Sequence, residues 1–212
     1  MKIFLDDSDY IRFLDLVADT VDEFQVECWN YCVMPNHYHL AVRPTLPNLS
    51  EAIQALNSCY AQWWNRRHET VGHVFQGRFK DQIVDHDEYL LALSRYIALN
   101  PVRAGIVDEP TDWRWSSYAA TIGLKPLHPA LMVSDVLRQF GDEDVETLQS
   151  RYATFVASPL THPCTDERIR SRERILGSSA FKLSIKGLLS KCSDLPPTVM
   201  PEAPIFEIGA AT

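Results

Sequence analysis

Apolar residues recur at helical spacing in the first part of the chain. After Asp6-Asp7-Ser8, which carries the side chains typical of a helix start, apolar positions follow three or four residues apart. They are Ile11, Leu14, Val17, Val21 and Phe24. Residues at this spacing share one face of a helix, so the pattern predicts a first helix that buries one apolar stripe.

Two later stretches have the same spacing. Pro47-Asn48-Leu49-Ser50-Glu51 offers a helix cap, and the apolar and aromatic residues after it predict a long second helix with its aromatics in the core. A third helix is predicted to begin at Asp85 or Asp87. We expect it to stop near Asn100, because Pro101 disfavours helical backbone at the residue before it.

Strand patterns lie between these helices. Val26 to Val33 and His37 to Arg43 are predicted to form a hairpin, with Met34-Pro35-Asn36 as its turn. A short strand, Gln82-Ile83-Val84, precedes the third helix. This order of elements predicts an α+β domain, in which helices cover one face of an antiparallel sheet and the other face stays open for ligands.

The second half of the chain has a different character. We assign residues 1–120 to the main domain and residues 121–191 to a helical C-terminal appendage, with helices expected in 132–157 and 166–190. Residues 192–212 contain prolines and alanines with little patterning. That composition predicts a poorly ordered tail.

Composition narrows the class of protein. The 212 residues are 46% hydrophobic, as in ordinary globular chains. No apolar stretch approaches the roughly 20 residues that span a bilayer, and the first residues lack the apolar region of a signal peptide. We therefore expect a cytoplasmic protein that does not contact membranes. The five cysteines are odd in number and include no Cys-x-x-Cys pair, which supports neither a disulfide framework nor a zinc ribbon.

The net charge of −8 disfavours nucleic-acid binding unless basic residues are concentrated locally. Between residues 60 and 80, four basic residues accompany one acidic residue, and the loop from Gly72 to Lys80 combines glycines, aromatics and basic side chains. Such a loop can stack on bases and contact phosphates, although basic residues are also common on solvated surfaces. The predicted DNA contacts are Arg66, Arg67, Phe75, Arg78, Phe79 and Lys80.

Two histidines, His37 and His39, lie one residue apart on the predicted returning strand. Side chains alternate between the faces of a strand, so both imidazoles share one face while Tyr38 lies on the other. Two imidazoles on one face can bind one divalent ion. Nearby histidines also occur by chance, and the short pattern alone leaves both interpretations open.

Tyr96 lies in the last turns of the predicted third helix, and Asn100 follows four residues later on the same helical face. If a metal at the histidines polarises a phosphodiester, the phenol is a candidate nucleophile. The Asn100 amide oxygen is then a candidate third metal ligand. Helical periodicity alone is more typical of a tyrosine that packs in a core or lies on the surface.

Four blocks of sequence combine these features in one order: Tyr31 to Leu40, Gly72 to Lys80, Arg95 to Gly105, and Trp113 to Tyr118. Together they resemble the HUH single-tyrosine transposases, in particular the REP-associated tyrosine transposases. The resemblance covers roughly residues 3–160. It implies a ferredoxin-like catalytic core that uses Mg²⁺ or Mn²⁺ and acts on single-stranded or hairpin DNA.

The resemblance also implies roles for individual residues. His37 and His39 become metal ligands, with Asn100 as the third ligand, and Tyr96 becomes the nucleophile that forms a 5′-phosphotyrosine and releases a 3′-hydroxyl. We therefore predict a metal-dependent DNA transposase or hairpin endonuclease that acts as a monomer or homodimer. Two alternatives stay open. One is a non-catalytic DNA-binding relative, and the other is a metal-dependent phosphoesterase with zinc at the histidines and water as nucleophile.

The start of the chain departs from the family pattern. Family members usually have a further strand and turn before the segment that begins here at Ile3. In a ferredoxin-like sheet that strand is central and pairs beside the histidine strand, so we expect unpaired backbone groups next to the metal site. A longer form that contains the strand is expected to be active, and the present form is expected to be unstable.

Overall fold

The computed structural model describes residues 2–77, 79–158, 175–191 and 205–211. Within these residues one sheet has the strand order β1-β2-β5-β3-β4. The strands are β1 (Val26–Met34), β2 (His37–Pro44), β3 (Lys80–Val84), β4 (Ile175–Leu176) and β5 (Ile205–Ala211). The helices are α1 (Asp7–Phe24), α2 (Leu49–Arg67), α3 (His86–Arg103), α4 (Tyr118–Thr121), α5 (Ser134–Arg138), α6 (Val145–Ala157) and α7 (Ser179–Lys191), and Pro110–Asp112 forms a 3₁₀ turn. The predicted α+β class is confirmed.

Helix α1 begins where the sequence predicts. The Asp6 side chain accepts a hydrogen bond from the Ser8 backbone N–H at 2.9 Å. The Asp9 carboxylate reaches back to the Asp6 backbone N–H, which completes a reciprocal capping arrangement. Acidic side chains in this first turn also lie at the positive end of the helix dipole. The start of α1 is therefore fixed by local side chains.

The histidine hairpin also forms as predicted, with β1 and β2 paired antiparallel. His37 lies opposite Met34, and His39 lies opposite Cys32. On its other edge β2 pairs antiparallel with β5, which pairs antiparallel with β3. The short β4 strand extends the sheet by pairing parallel with β3. The histidine strand thus lies inside the sheet, with neighbours on both edges.

Helices cover both faces of this sheet. The sequence placed them on one face, and α1 and α2 do cover one face through a first core that contains Phe13, Tyr38 and Tyr60. Helix α3 lies on the other face, because its buried residues, among them Leu90 and Leu93, need an apolar surface to pack against. A ligand that reaches the histidines must therefore approach beside α3.

Helix α3 continues through Pro101 to Arg103, so the predicted end near Asn100 is wrong. The steric preference before proline disfavours helix, but a proline this close to the end of a helix removes only one backbone hydrogen bond. The Ala104 N–H donates to the Asn100 carbonyl at 3.0 Å. Gly105 follows in the left-handed conformation at φ 66°, which is a common helix ending.

The helices of the predicted appendage join a second core, which lies on the face of the sheet that α3 covers. Leu137 of α5 and Tyr152 of α6 pack in the same cluster as Leu90 of α3. Residues 159–174, where the sequence predicts the beginning of a further helix, lie outside the described residues. Across the residues the structure describes, no helix has the length and apolar character needed to cross a membrane.

The C-terminal segment departs most from the sequence-based expectation. The prediction of a poorly ordered tail is wrong for residues 205–211, which form β5 between β2 and β3. The prediction of unpaired backbone beside the histidines is wrong for the same reason, since β2 pairs with β5 over six residues from His37 to Val42. Local patterning could not reveal this strand, because its partners lie more than 100 residues earlier in the chain.

The outer edge of β1 is covered by the segment from Trp113 to Ser117. The Val33 N–H donates to the Trp115 carbonyl, and the Ser117 N–H donates to the Tyr31 carbonyl, both at 2.9 Å. The Trp113 indole N–H donates to the Val33 carbonyl at 3.1 Å. These contacts satisfy backbone groups on an edge that would otherwise be open to another strand.

We expect Phe13→Ala to lower the free energy of unfolding by about 3–5 kcal/mol, because it removes a fully buried ring and leaves a cavity. The matched control is Ile11→Ala on the same helix, where the side chain is 49% exposed and the expected change is below about 1 kcal/mol. Urea unfolding followed by circular dichroism measures both. Equal losses in the two variants would contradict the assignment of this core.

Candidate metal and nucleophile site

The first core fixes the orientation of β2, the strand that carries the histidines. Tyr38, between the two histidines, is fully buried, and its ring centroid lies 4.7 Å from that of Phe13. Its hydroxyl donates to Asn57 Oδ1 of α2 at 2.8 Å. Since side chains alternate along a strand, locking Tyr38 into the first core directs His37 and His39 to the opposite face.

The two imidazoles lie next to each other on that face. Their ring centroids are 4.9 Å apart and their planes are nearly perpendicular, at 85°. His37 Nδ1 lies 2.8 Å from Asn36 Oδ1. When Nδ1 donates its proton to that oxygen, Nε2 keeps the lone pair that a metal requires.

Burial, followed by the charge of neighbouring His39, lowers the pKa of His37 to about 4. The imidazole is then neutral near pH 7, which is the form that coordinates metals. Two adjacent imidazoles, at least one of them neutral and oriented by Asn36, fit a divalent cation. Among the described residues there is no cluster of three His, Cys, Asp or Glu side chains, so a third ligand here would be an amide, a water or the substrate.

Tyr96 reaches the histidines from α3. Its ring centroid lies 5.6 Å from that of His39, with the planes at 89°. The side chain is half-buried rather than enclosed in the core. The structure therefore brings together His37 and His39 of β2 and Tyr96 of α3. His39 and Tyr96 are 57 positions apart in the sequence.

Asn100 lies one helical turn beyond Tyr96. Its side-chain Nδ2 donates to the backbone carbonyl of Tyr96 at 3.2 Å. This bond orients the amide and leaves Oδ1 as the atom with lone pairs suited to a cation. The role of Asn100 as third ligand stays a prediction.

Arg103 is a site residue that the sequence patterns did not single out. Its guanidinium carbon lies 5.3 Å from the centroid of the Tyr96 ring. One guanidinium nitrogen also approaches the Tyr96 carbonyl at 3.5 Å. The available signal was its position seven residues after Tyr96, which returns to the same face after two helical turns. A permanent positive charge therefore lies against the phenol ring.

A buried polar contact ties α3 to the sheet near the site. Ser94, two residues before Tyr96, donates its hydroxyl proton to Asn30 Oδ1 of β1 at 2.6 Å. Both side chains are almost fully buried, at 0% and 1% exposure. Buried polar groups are costly unless paired, so this contact favours one position of α3 over alternatives that would separate the two groups.

Comparison with known proteins finds related sequences over the part of the chain that carries this geometry. Residues 2–100, a little under half of the chain, match the family model described as "Transposase IS200 like", and that span includes both histidines, Tyr96 and Asn100. Over this span the chain is similar to the IS200-like transposases. It is also 27% identical over 123 residues to a protein of Haemophilus influenzae named "Putative REP-associated tyrosine transposase". That alignment covers 52% of this chain and 70% of the relative. No solved structure matches the chain.

The predicted DNA contacts fall into different environments. Arg66 is exposed on α2, and Lys80 is exposed at the start of β3. Lys80 lies opposite Gly209 of β5, which lies opposite His39 of β2. Lys80 and His39 thus occupy one row across the sheet, about 10 Å apart at two strand spacings. Arg78 lies outside the described residues.

Other predicted contacts have structural partners. Arg67 forms an ion pair with Asp6 at 2.8 Å and a second with buried Asp9, which ties the end of α2 to the start of α1. Phe75 is buried against the rings of Tyr38 and Tyr60, so its face is not presented to a base in this conformation. Phe79 is partly buried and packs against the same core.

We expect Ser94→Ala to destabilise the fold by about 1–3 kcal/mol, because the buried Asn30 oxygen loses its donor. The control is Ser150→Ala, an exposed serine in α6, which should leave stability unchanged or slightly raise it. Urea unfolding midpoints measure the difference. A Ser94→Ala protein as stable as the wild type would show that this contact does not hold α3 in place.

Proposed function

We propose that this protein is an IS200-like transposase that cleaves and rejoins single-stranded hairpin DNA, with Tyr96 as nucleophile and a divalent cation, Mg²⁺ or Mn²⁺, bound at His37 and His39. The observation that carries the proposal is the 5.6 Å approach of the Tyr96 ring to His39. Similarity to the IS200-like transposases supports a role in DNA transposition and recombination, and DNA binding follows from that role.

The proposed reaction is a transfer of a phosphodiester to the tyrosine. The Tyr96 phenol gives up its proton to solvent as its oxygen attacks phosphorus. The bond from phosphorus to the 3′-oxygen breaks, and the 3′-oxygen takes up a proton from solvent to leave as a 3′-hydroxyl. The product is a 5′-phosphotyrosine. Since the new ester keeps the energy of the broken bond, the reverse attack by a 3′-hydroxyl rejoins DNA without a nucleotide cofactor.

The protein residues provide binding and orientation for this step. A bound divalent cation supplies Lewis-acid polarisation of the phosphodiester oxygen. His37 and His39 would hold it as neutral imidazoles, and Asn100 would add its amide oxygen. The hydrogen bond from Asn100 to the Tyr96 carbonyl keeps ligand and nucleophile on one rigid helix.

Arg103 and Lys80 supply positive charge near Tyr96 and in the row of His39, respectively. The Arg103 guanidinium lies over the Tyr96 ring, where it can restrict the ring's rotation. Lys80 lies in the row of His39 and is exposed, so it can contact a DNA phosphate. Local charge of this kind reconciles DNA binding with a net charge of −8.

Tyr96→Phe should abolish a covalent protein–DNA complex, because it removes the oxygen that attacks phosphorus. The control is Tyr89→Phe, a buried tyrosine on the same helix that should still form the complex. The assay incubates each protein with labelled single-stranded hairpin DNA and Mn²⁺, and looks for a complex that survives denaturing electrophoresis. A complex in Tyr96→Phe would refute the nucleophile. Hairpin binding without any complex in the wild type would instead indicate a non-catalytic relative.

His39→Ala should weaken Mn²⁺ binding by at least about tenfold, because one of two adjacent imidazole ligands is lost. The control is His73→Ala, an exposed histidine of the loop before β3, which should bind Mn²⁺ like the wild type. Isothermal titration calorimetry of the DNA-free proteins measures both affinities. Equal affinities in the wild type and His39→Ala would contradict a metal at this pair.

Retained hydrolysis of small phosphoesters by Tyr96→Phe with zinc would favour a phosphoesterase.

A further inference from the structure

The histidine strand, β2, pairs with one strand that is close to it in sequence and with one that is far from it. One edge of β2 pairs with β1, the adjacent arm of its own hairpin. The other edge pairs with β5, which comes from the C-terminal end of the chain. Hairpin pairing forms locally, whereas pairing with β5 must bring together residues 37–42 and 206–211.

Strand β5 also joins two parts of the sheet. In the part of the chain that the structure describes, β1 and β2 form one part, β3 and β4 form the other, and β5 is the strand between them. It pairs with β2 over residues 206–211 and with β3 over residues 205–209. Without it, β2 and β3 would each present an edge of unpaired N–H and C=O groups.

The side chains of β5 anchor it in the first core. Ile208 is fully buried and lies opposite Leu40 of β2. Phe206 is partly buried, packs against the same core and lies opposite Val42. Burial of these apolar side chains stabilises β5 between β2 and β3, in addition to its backbone hydrogen bonds.

The register places the smallest residues of β5 beside the site. Gly209 lies opposite His39, and Ala211 lies opposite His37. Gly209 also lies opposite Lys80 on β3, so the row from His39 to Lys80 contains a residue without a side chain at its centre. A glycine at such a position permits close approach of a ligand backbone.

We propose that β5 is a positioning strand of the metal site, which fixes the edge of β2 beside His37 and His39. The inference rests on the proposed metal role of this pair. It assigns to the C-terminal segment, which shows no chemical motif of its own, an indirect effect on cation affinity. Residues 205–211 act through β2 and do not touch the reacting atoms.

The test compares two substitutions at one position in the full chain. Glu207→Pro removes a backbone N–H and disrupts strand pairing, whereas Glu207→Val favours a strand and removes the same carboxylate. Glu207 lies opposite Ala41 and Gln82, two rows away from His39. Any loss found in the proline variant alone is therefore due to strand pairing.

Two readouts are measured without DNA. The first is amide hydrogen exchange of β2, where the proline variant should exchange about 100-fold faster at amides that face β5 while amides that face β1 stay protected. The second is Mn²⁺ affinity, followed through paramagnetic broadening of the His37 and His39 ring resonances, which should fall at least about tenfold in the same variant. The valine variant should match the wild type in both.

Three results would overturn the proposal. Unchanged exchange and affinity in Glu207→Pro would show that β2 does not need β5. Equal loss of affinity in both variants would show that the carboxylate is required and not the strand. If the proline variant unfolds, native-state exchange of the wild type decides, because β5 amides and the β5-facing amides of β2 must then open together. Protection of β2 while β5 exchanges freely would also overturn it.

The amide hydrogen-exchange measurement tests this inference separately from the proposed function. It needs neither metal nor DNA, so it can succeed even if Tyr96 forms no covalent complex. Conversely, a wild-type protein that forms the Tyr96 complex while β2 exchange is insensitive to Glu207→Pro would support the function and reject the positioning role of β5.

Discussion

Strand β2 needs hydrogen-bond partners on both edges and a buried side chain on one face, and the site depends on these requirements being met together. Tyr38 fills the first core and so directs the two histidines to the opposite face. Pairing with β1 and β5 fixes the strand in the plane of the sheet. Because side chains alternate, a shift of one residue in register would place His37 and His39 on the core side, where unpaired imidazoles are costly.

The second half of the site depends on where α3 lies. Its apolar residues pack on the histidine face, and the buried contact between Ser94 and Asn30 selects one placement of the helix. That placement brings Tyr96 to His39 and leaves the tyrosine half-buried beside Arg103. A rigid helix and a rigid strand thus hold the proposed nucleophile and metal ligands, which reduces the reorganisation required before reaction.

Much of the local structure followed from short-range signals. The Asp6 cap and the histidine hairpin depend on residues close in sequence, and both were predicted. The apolar stripe of α1 was predicted only in part, since Leu14 and Val17 are buried whereas Ile11 is exposed. The predicted end of α3 was wrong because a proline in the last turn of a helix removes only one backbone hydrogen bond. The burial of Phe75 and the ion pair of Arg67 were not predicted. An aromatic or basic residue in a loop or at a helix end looks the same in the sequence whether its side chain packs inward or faces solvent.

The sequence by itself determined the candidate chemistry: two histidines at a spacing of two on a strand, and a tyrosine and an asparagine at a spacing of four on a helix. Those spacings place side chains on a common face in any fold that keeps the element. Only the tertiary structure decided that Tyr96 meets His39, that Arg103 lies over the phenol, and that residues 205–211 pair beside the histidines. Such contacts join residues far apart in the chain, and their energies come from burial and pairing that no local segment has alone.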